Sequence, residues 1–371
     1  VQVLPEETIR GEGVVLRPPR RADADDVAAA CTDAAIQRYI PAVPSPYTRR
    51  DALHWITDVH SAERSLGGAL LVIADPATDR LIGSVGLHRV ALTAGLAEVG
   101  YWVAPWARGR GVATSATDAL TRWGHRQGLH RVELLTDPEN WQSQRVALSA
   151  GFHREGIRRG AGRQRDGTRH DLVVFARLAD DPPGPAARAL PDVAGALSDG
   201  VIELRPLWAS DADDLYALRA LPESIASSVP PVAPDRAKVQ RRCAEAPSYW
   251  LAGQRADLTI RDVPSGRFAG EISLYYGDLL GGEAMIGYGL ARDWRGRGYA
   301  TRAVRLLACW AFEQTAIARL IAGTAPENVG SQRVLERAGF VREGYLRSRL
   351  PGVGGTRIDD ILYSLLPSDP H

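Results

Sequence analysis

One short run of residues occurs twice in the chain: Arg108-Gly109-Arg110-Gly111-Val112-Ala113 and Arg295-Gly296-Arg297-Gly298-Tyr299-Ala300. Each copy follows a strand-like segment and leads into a helix-like one. Glycine lets a ligand approach the backbone closely. Successive backbone N–H groups then point at one spot, and the helix start adds partial positive charge. A hydrogen bond to a charged group is worth about 1.5–3 kcal/mol, so a few of them hold a pyrophosphate. Two other phosphate-binding designs do not fit. A dinucleotide fingerprint wants a third glycine where Thr114 and Thr301 stand, and a Walker loop wants Gly-Lys-Ser/Thr, which is absent.

The repetition extends far beyond these turns. VVLRPPRRADADDVAAA from Val14 parallels IELRPLWASDADDLYAL from Ile202. PEN at Pro138 reappears at Pro326, AGFHREG at Ala150 as AGFVREG at Ala338, and DGTRHD at Asp166 as GGTRID at Gly354. The separation between partners stays nearly constant, as a whole-domain duplication requires. A segment rich in Pro, Ala, Gly and Asp lies between the copies and reads as a linker. The expected division is therefore a first domain over 1–178, a linker over 179–200 and a second domain over 201–371.

Within the first copy, Val14–Arg17, the runs ALLVIAD and LIGSVGLHRV, and Ala97–Val103 read as strands. The spacing of Ala116, Ala119, Leu120 and Trp123 predicts an amphipathic helix after the glycine turn, and Ala303, Leu306, Leu307 and Trp310 repeat it. Arg131–Thr136 reads as a strand, Glu139–Ala150 as a helix, and HDLVVFARL as a final strand. Thr48 is the expected N-cap of an earlier helix. Hairpins early and a strand–helix–strand unit later predict a mixed sheet with helices on both sides.

With these residues in hand, both halves resemble the GNAT acyltransferase superfamily, and most closely its RimJ/RimL-like branch of ribosomal-protein N-terminal acetyltransferases. The superfamily pattern Arg/Gln-x-x-Gly-x-Gly/Ala is met by Arg108, Gly111 and Ala113, and by Arg295, Gly298 and Ala300. The branch pattern is met by Asn140, Ser143, Gly151, Phe152, Glu155, Gly156 and Asp171, and again by Asn328, Ser331, Gly339, Phe340, Glu343, Gly344 and Asp359. The resemblance implies an α+β (mixed α/β) fold class: two GNAT-like domains, each a mostly antiparallel mixed sheet with a V-shaped splay. It implies acetyl-CoA as donor, CoA as product, no metal, and an amine acceptor. Pantetheine would lie between the strand ending at Val103 and the strand Arg131–Thr136, against Tyr101, Trp102 and Val103, and in the second copy against Tyr288 to Leu290. The pyrophosphate would sit on Arg108, Gly109, Arg110, Gly111, Val112 and Ala113, or on Arg295, Gly296, Arg297, Gly298, Tyr299 and Ala300.

The resemblance also assigns chemistry. Glu98 occupies a strand position from which superfamily members deploy a carboxylate base. Its counterpart is Met285, which takes no proton, so Glu271, standing where the first copy has Ser84, is the substitute candidate. The helix position that often carries a proton-donating tyrosine falls here on Ala147 and Leu335. That leaves Ser143 and Ser331 as partners for the leaving thiolate, with Asn140 and Asn328 heading the same helix near the pantetheine or serving only as N-caps. The acceptor pocket is expected from the differing loops YIPAVPSPYT and SSVPPVAPDR. An α-amine titrates near about 7.7–8.0 and a lysine near about 10.4, so a base matters more for a lysine. The implied acceptor is a small-molecule amine or a peptide or protein N-terminus. The alternative reading is a CoA-binding sensor or scaffold with one or both domains silent.

Composition limits the remaining options. A net charge of +1 over 371 residues gives no nucleic-acid or membrane signature. The arginines Arg158, Arg159, Arg163 and Arg165 read as a solvated loop unless they meet an anion. Cys31, Cys243 and Cys309 are too scattered for disulfides or zinc. The histidines, His88 among them, show no metal spacing and read as structural or surface residues. Nothing at the N-terminus reads as a signal peptide and no apolar run reaches about 18 residues, which predicts a cytoplasmic protein. The fused copies either replace a family-like homodimer or form one again.

Overall fold

The computed structural model describes residues 3–193 and 197–369. The chain divides into two compact units, Val1–Ala187 and Arg188–His371, so the boundary falls inside the segment expected as a linker. That segment is partly built into the units. The Ala186 N–H donates to the Leu148 carbonyl, and Leu190 is fully buried. Residues 194–196 of it lie outside the described residues.

Each unit is one eight-stranded sheet. In the first, the strands are β1 (Ile9–Gly11), β2 (Val14–Arg17), β3 (Ala69–Ala74), β4 (Leu81–Ala91), β5 (Leu96–Val103), β6 (Arg131–Thr136), β7 (His153–Arg163) and β8 (Arg169–Leu178), in the spatial order 1-2-3-4-5-6-8-7. The second repeats the order with β9 (Leu197–Ser198), β10 (Ile202–Pro206), β11 (Arg255–Asp262), β12 (Phe268–Asp278), β13 (Glu283–Leu290), β14 (Arg319–Thr324), β15 (Val341–Pro351) and β16 (Arg357–Leu365). The β7 strand corrects the sequence reading. Arg158, Arg159 and Arg163 belong to an exposed edge strand and not to a loop.

Among the described residues only β5–β6 and β13–β14 run parallel, and there the sheets open. Leu96, Ala97 and Glu98 pair with Arg131, Val132 and Glu133, and the pairing then stops, leaving Val99–Val103 apart from Leu134–Thr136. In the second unit the three pairs end at Met285 and Ile321. This is the V-shaped splay, produced twice.

The two sheet faces carry different layers, because successive strand residues point to opposite sides. One face packs the long helices Val112–Arg126 and Tyr299–Gln314, on the apolar stripes read from sequence: Ala116, Ala119, Leu120 and Trp123 are at most 3% exposed. Burial of each large apolar side chain contributes about 1.5–3 kcal/mol. On the opposite face of the first unit, Val72 and Ala74 pack with Val27, Ala52 and Ile56 from the helices that precede β3. The site described below straddles the splay, with one half on each face.

Candidate active site

The two phosphate-type cradles are alike in geometry. Gly111 has φ +75° and Gly298 φ +79°, left-handed values that place the chain at the helix start without a β-carbon penalty. No side chain caps either helix. The first helical bonds run from the Ser115 N–H to the Gly111 carbonyl (3.0 Å) and from the Arg302 N–H to the Gly298 carbonyl (3.1 Å). The amides of the first turn therefore have no intrahelical acceptor. A β-carbon at Gly109, Gly111, Gly296 or Gly298 would meet nothing within 4 Å, so the space before these amides is open. Val112 anchors the first helix at 7% exposure, and Ala113 and Ala300 present no bulk in the first turn.

The motif arginines brace the cradles. Arg108 sends Nε to the Val103 carbonyl (3.3 Å) and NH2 to Asp33 (2.6 Å). Arg295 sends Nε to the Leu290 carbonyl (3.0 Å) and NH1 to Glu223 (2.9 Å). Each guanidinium ties the cradle to the end of β5 or β13 and to a helix near the acceptor loop. The Arg108 guanidinium holds the Asp33 carboxyl below its usual range. Arg292, joined by Arg295, holds Glu223 down to about 2. Arg297 lies over the Trp294 ring, and the Tyr299 hydroxyl donates to Asp262 (2.5 Å), so Tyr299 offers a ligand only its backbone. Arg110 remains on the exposed rim.

Across the splay, a hydroxyl pair occurs in both units. Tyr101, on the half of β5 beyond its pairing with β6, donates to Ser143 Oγ at 3.0 Å, and Tyr288 lies 2.9 Å from Ser331 Oγ. The serines sit in the first turns of helices Trp141–Ser149 and Val329–Arg337, shorter than the Glu139–Ala150 expectation because Asn140 is the cap. Asn140 Oδ1 accepts from the Ser143 N–H, and Asn328 Oδ1 from the Ser331 N–H, each cap contributing about 1 kcal/mol. Burial pushes the Tyr101 phenol up and raises the Tyr288 phenol to about 12, so both stay protonated at neutral pH. No helix tyrosine was available by sequence; the structure brings a strand tyrosine to the same serine. The signal for it was the shared Gly-Tyr before each cradle.

The opposite face separates the two units. In the first, Glu98 Oε2 accepts from Arg89 (2.9 Å), and Trp102 packs edge-on against Trp55 at 6.3 Å. Glu133, beside Glu98 on β6, is neutralised by Arg131 (2.7 Å) and Arg158 (2.6 Å). In the second unit, Gly289 occupies the register position of Trp102, next to Glu271. Glu271 accepts from Arg219 (2.8 and 3.1 Å) and pairs with Arg242 (3.1 Å); Arg242 also holds Asp257 (2.7 Å), which Arg255 grips from the other side (2.6 Å). Burial raises the Glu271 carboxyl, and Arg242 opposes that rise. Met285 is 42% exposed and brings no proton acceptor.

A twice-repeated splay, each with its own cradle, defines a tandem of acyl-transfer-type domains, and comparison with known proteins agrees. The acetyltransferase (GNAT) domain family matches residues 14–153 and 202–341, and the chain belongs to that family. Probable N-acetyltransferase YjcK of Bacillus subtilis is 34% identical over 139 residues, covering 33% of this chain and 76% of that protein. The ribosomal-protein-serine acetyltransferase of Escherichia coli is 33% identical over 103 residues, covering 28% of this chain and 57% of that one. Among solved structures, Mycobacterium smegmatis RimJ in complex with CoA-disulfide aligns with a TM-score of 0.40 and 26% identity over 45% of this chain and 83% of that one.

Proposed function

We propose that this chain is an acetyl-CoA-dependent N-acetyltransferase acting on a primary amine, with turnover carried by the N-terminal domain. The observation that carries the reading is the pairing, in each domain, of an uncapped helix start over a left-handed glycine with a Tyr–Ser hydroxyl pair across the splay. Acetyl-CoA fits these residues: the open space at Gly109 and Gly111, and at Gly296 and Gly298, suits a pyrophosphate, and the unpaired edges of β5 and β13 suit an amide-bearing pantetheine. Bound there, it supplies an acetyl thioester.

The chain's own groups then divide the work. Strand N–H groups of Val99–Val103 that face away from β4, toward the splay, polarise the thioester carbonyl. Tyr101 and Ser143 relay a proton to the departing sulfur, with Asn140 fixing the serine. A base on the opposite face keeps the amine neutral. A peptide α-amine is the favoured acceptor, because named relatives act on ribosomal proteins and because an α-amine needs less help to deprotonate than a lysine.

The C-terminal domain is read as an acetyl-CoA binder without turnover. Its cradle and hydroxyl pair match the first domain, but Met285 replaces the Glu98 position and Glu271 is occupied by two arginines. The test is release of CoA thiol from acetyl-CoA with a panel of peptide and small-molecule amines. Turnover that survives Gly298→Asp and is lost in Gly111→Asp is expected. Turnover that follows Gly298 instead assigns the activity to the second domain, and none with any amine leaves the binding-scaffold reading.

A further inference from the structure

We infer that His88, oriented by Glu63, is the general base of the N-terminal domain; the inference rests on the acetyltransferase reading above. His88 is on β4 directly opposite Glu98 on β5, on the face away from the cradle helix. Its Nδ1 lies 3.1 Å from Glu63 Oε1, at the end of the helix His60–Ser65. A carboxylate only accepts, so a neutral imidazole that meets it through Nδ1–H keeps its lone pair on Nε2. Nε2 faces the Gly86–Gly100 pair. A β-carbon on Gly86 would come to 3.0 Å from it, and one on Gly100 to 3.6 Å. Neither glycine has a positive φ, so backbone conformation does not demand glycine at either place. What glycine provides is room for the ring. Gly100 is also the second residue of β5 beyond the last pairing with β6, so the lone pair lies at the mouth of the splay.

The charged groups around the ring favour this role over Glu98. Glu63 faces it from the helix, Glu98 from β5, and Arg89 follows it on β4; the neighbouring β3 residue Leu70 brings no charge. Arg89 occupies Glu98, whereas among the described residues no cation is seated on His88 Nε2. The second domain supplies the contrast. Its register position for His88 is Tyr275, for Glu98 Met285 and for Gly86 Ser273. The helix-end carbonyl of Glu63 accepts from Gly68, as that of Tyr249 does from Gln254, so Glu63 corresponds to Tyr249. There Arg255 stacks on Tyr249 (4.3 Å). The acid–imidazole pair is replaced as a unit, while the CoA-facing residues are kept.

In the step, His88 Nε2 takes a proton from the acceptor ammonium, and Glu63 stabilises the imidazolium. The neutral nitrogen forms the N–C bond to the acetyl carbon and the C–S bond breaks. The second amine proton reaches the sulfur through Tyr101 and Ser143, and His88 returns its proton to water. His88 is the catalytic residue and Glu63 a positioning residue.

The experiment measures thiol release from acetyl-CoA with a peptide bearing a free Ser α-amine, across pH 5–9, in wild type, His88→Gln, Glu63→Gln, Glu63→Asp and Glu98→Gln. A lost general base costs about 10²–10⁴-fold. His88→Gln should lower kcat at least about 100-fold and abolish the rising limb of the profile, with acetyl-CoA affinity within about twofold of wild type. Glu63→Gln should lower kcat about 10-fold, and Glu63→Asp should restore part of it. A limb that survives His88→Gln and vanishes in Glu98→Gln overturns the proposal. Nitrogen NMR of the imidazole, assigned by comparison with His88→Gln, reads the tautomer without any turnover. Nδ1–H supports the pair and Nε2–H overturns it, so failure of the pair is separable from failure to find an acceptor.

Discussion

The two domains share one half of a site and differ in the other. On the cradle face they are close copies: left-handed glycine, uncapped helix, strand tyrosine, helix serine and capping asparagine coincide. On the opposite face the first domain sets Glu63, His88 and Glu98 beside a Trp55–Trp102 contact, and the second sets a buried network of Arg219, Glu271, Arg242, Asp257 and Arg255. On the proposed function a cofactor is the same molecule at both sites, so its cradle tolerates little change. The face proposed to meet an acceptor is free to diverge, and in the second domain it carries ion pairs that hold each other.

The largest effect that would break this contrast is catalytic. Tyr101→Phe and Ser143→Ala should each lower kcat about 100-fold, and the double variant little more, since both act on one proton relay. Ser331→Ala should leave turnover unaffected if the first domain alone reacts. Thiol-release kinetics decide both, and a fall in Ser331→Ala equal to that in Ser143→Ala would make the domains equivalent.

Stability should show the reverse asymmetry. Removing one member of a buried ion-pair network leaves its partners uncompensated, which costs about 3–5 kcal/mol. Glu271→Gln should therefore destabilise the C-terminal domain by about 3 kcal/mol in denaturant unfolding. Ser84→Ala, at the matching place in the first domain, removes only a hydroxyl bonded to the Leu71 carbonyl and should cost about 1 kcal/mol. Equal losses would mean that the network carries no special weight.

The smallest expected effect is acid titration of the cradle brace. Glu223 is held down to about 2 by Arg292 and Arg295, below its ordinary value near 4.5. A depressed carboxyl contributes stability that is present above about pH 4.5 and is lost as pH falls through about 2. Melting of the C-terminal domain should be level from pH 7 to pH 5 and decline below that. Glu223→Gln should soften the decline, and an unchanged curve would remove the brace from the account.

Much of this could be read from sequence because it is local. The glycine turns with the helices that follow them, the Arg131–Thr136 strand, the Thr48 cap and the apolar stripe of the cradle helix each depend on residues within a few positions of one another, and each of these elements stands as read. β7 did not show itself, because an exposed, bulged edge strand rich in arginine and glycine has no apolar alternation to display. The task of Arg108 was hidden because Asp33 lies far back in the chain. His88 looked like a surface histidine for the same reason. Its meaning depends on the β4–β5 register and on a helix end that the sequence does not bring near it.

The most direct test of the account is calorimetric titration of acetyl-CoA into wild type, Gly111→Asp and Gly298→Asp. Each aspartate has open space for its side chain and places a negative charge where the pyrophosphate is to bind. The account predicts two sites in the wild type and one in each variant, with turnover lost only in Gly111→Asp. A wild type with no binding, or a single substitution that empties both sites, would contradict it.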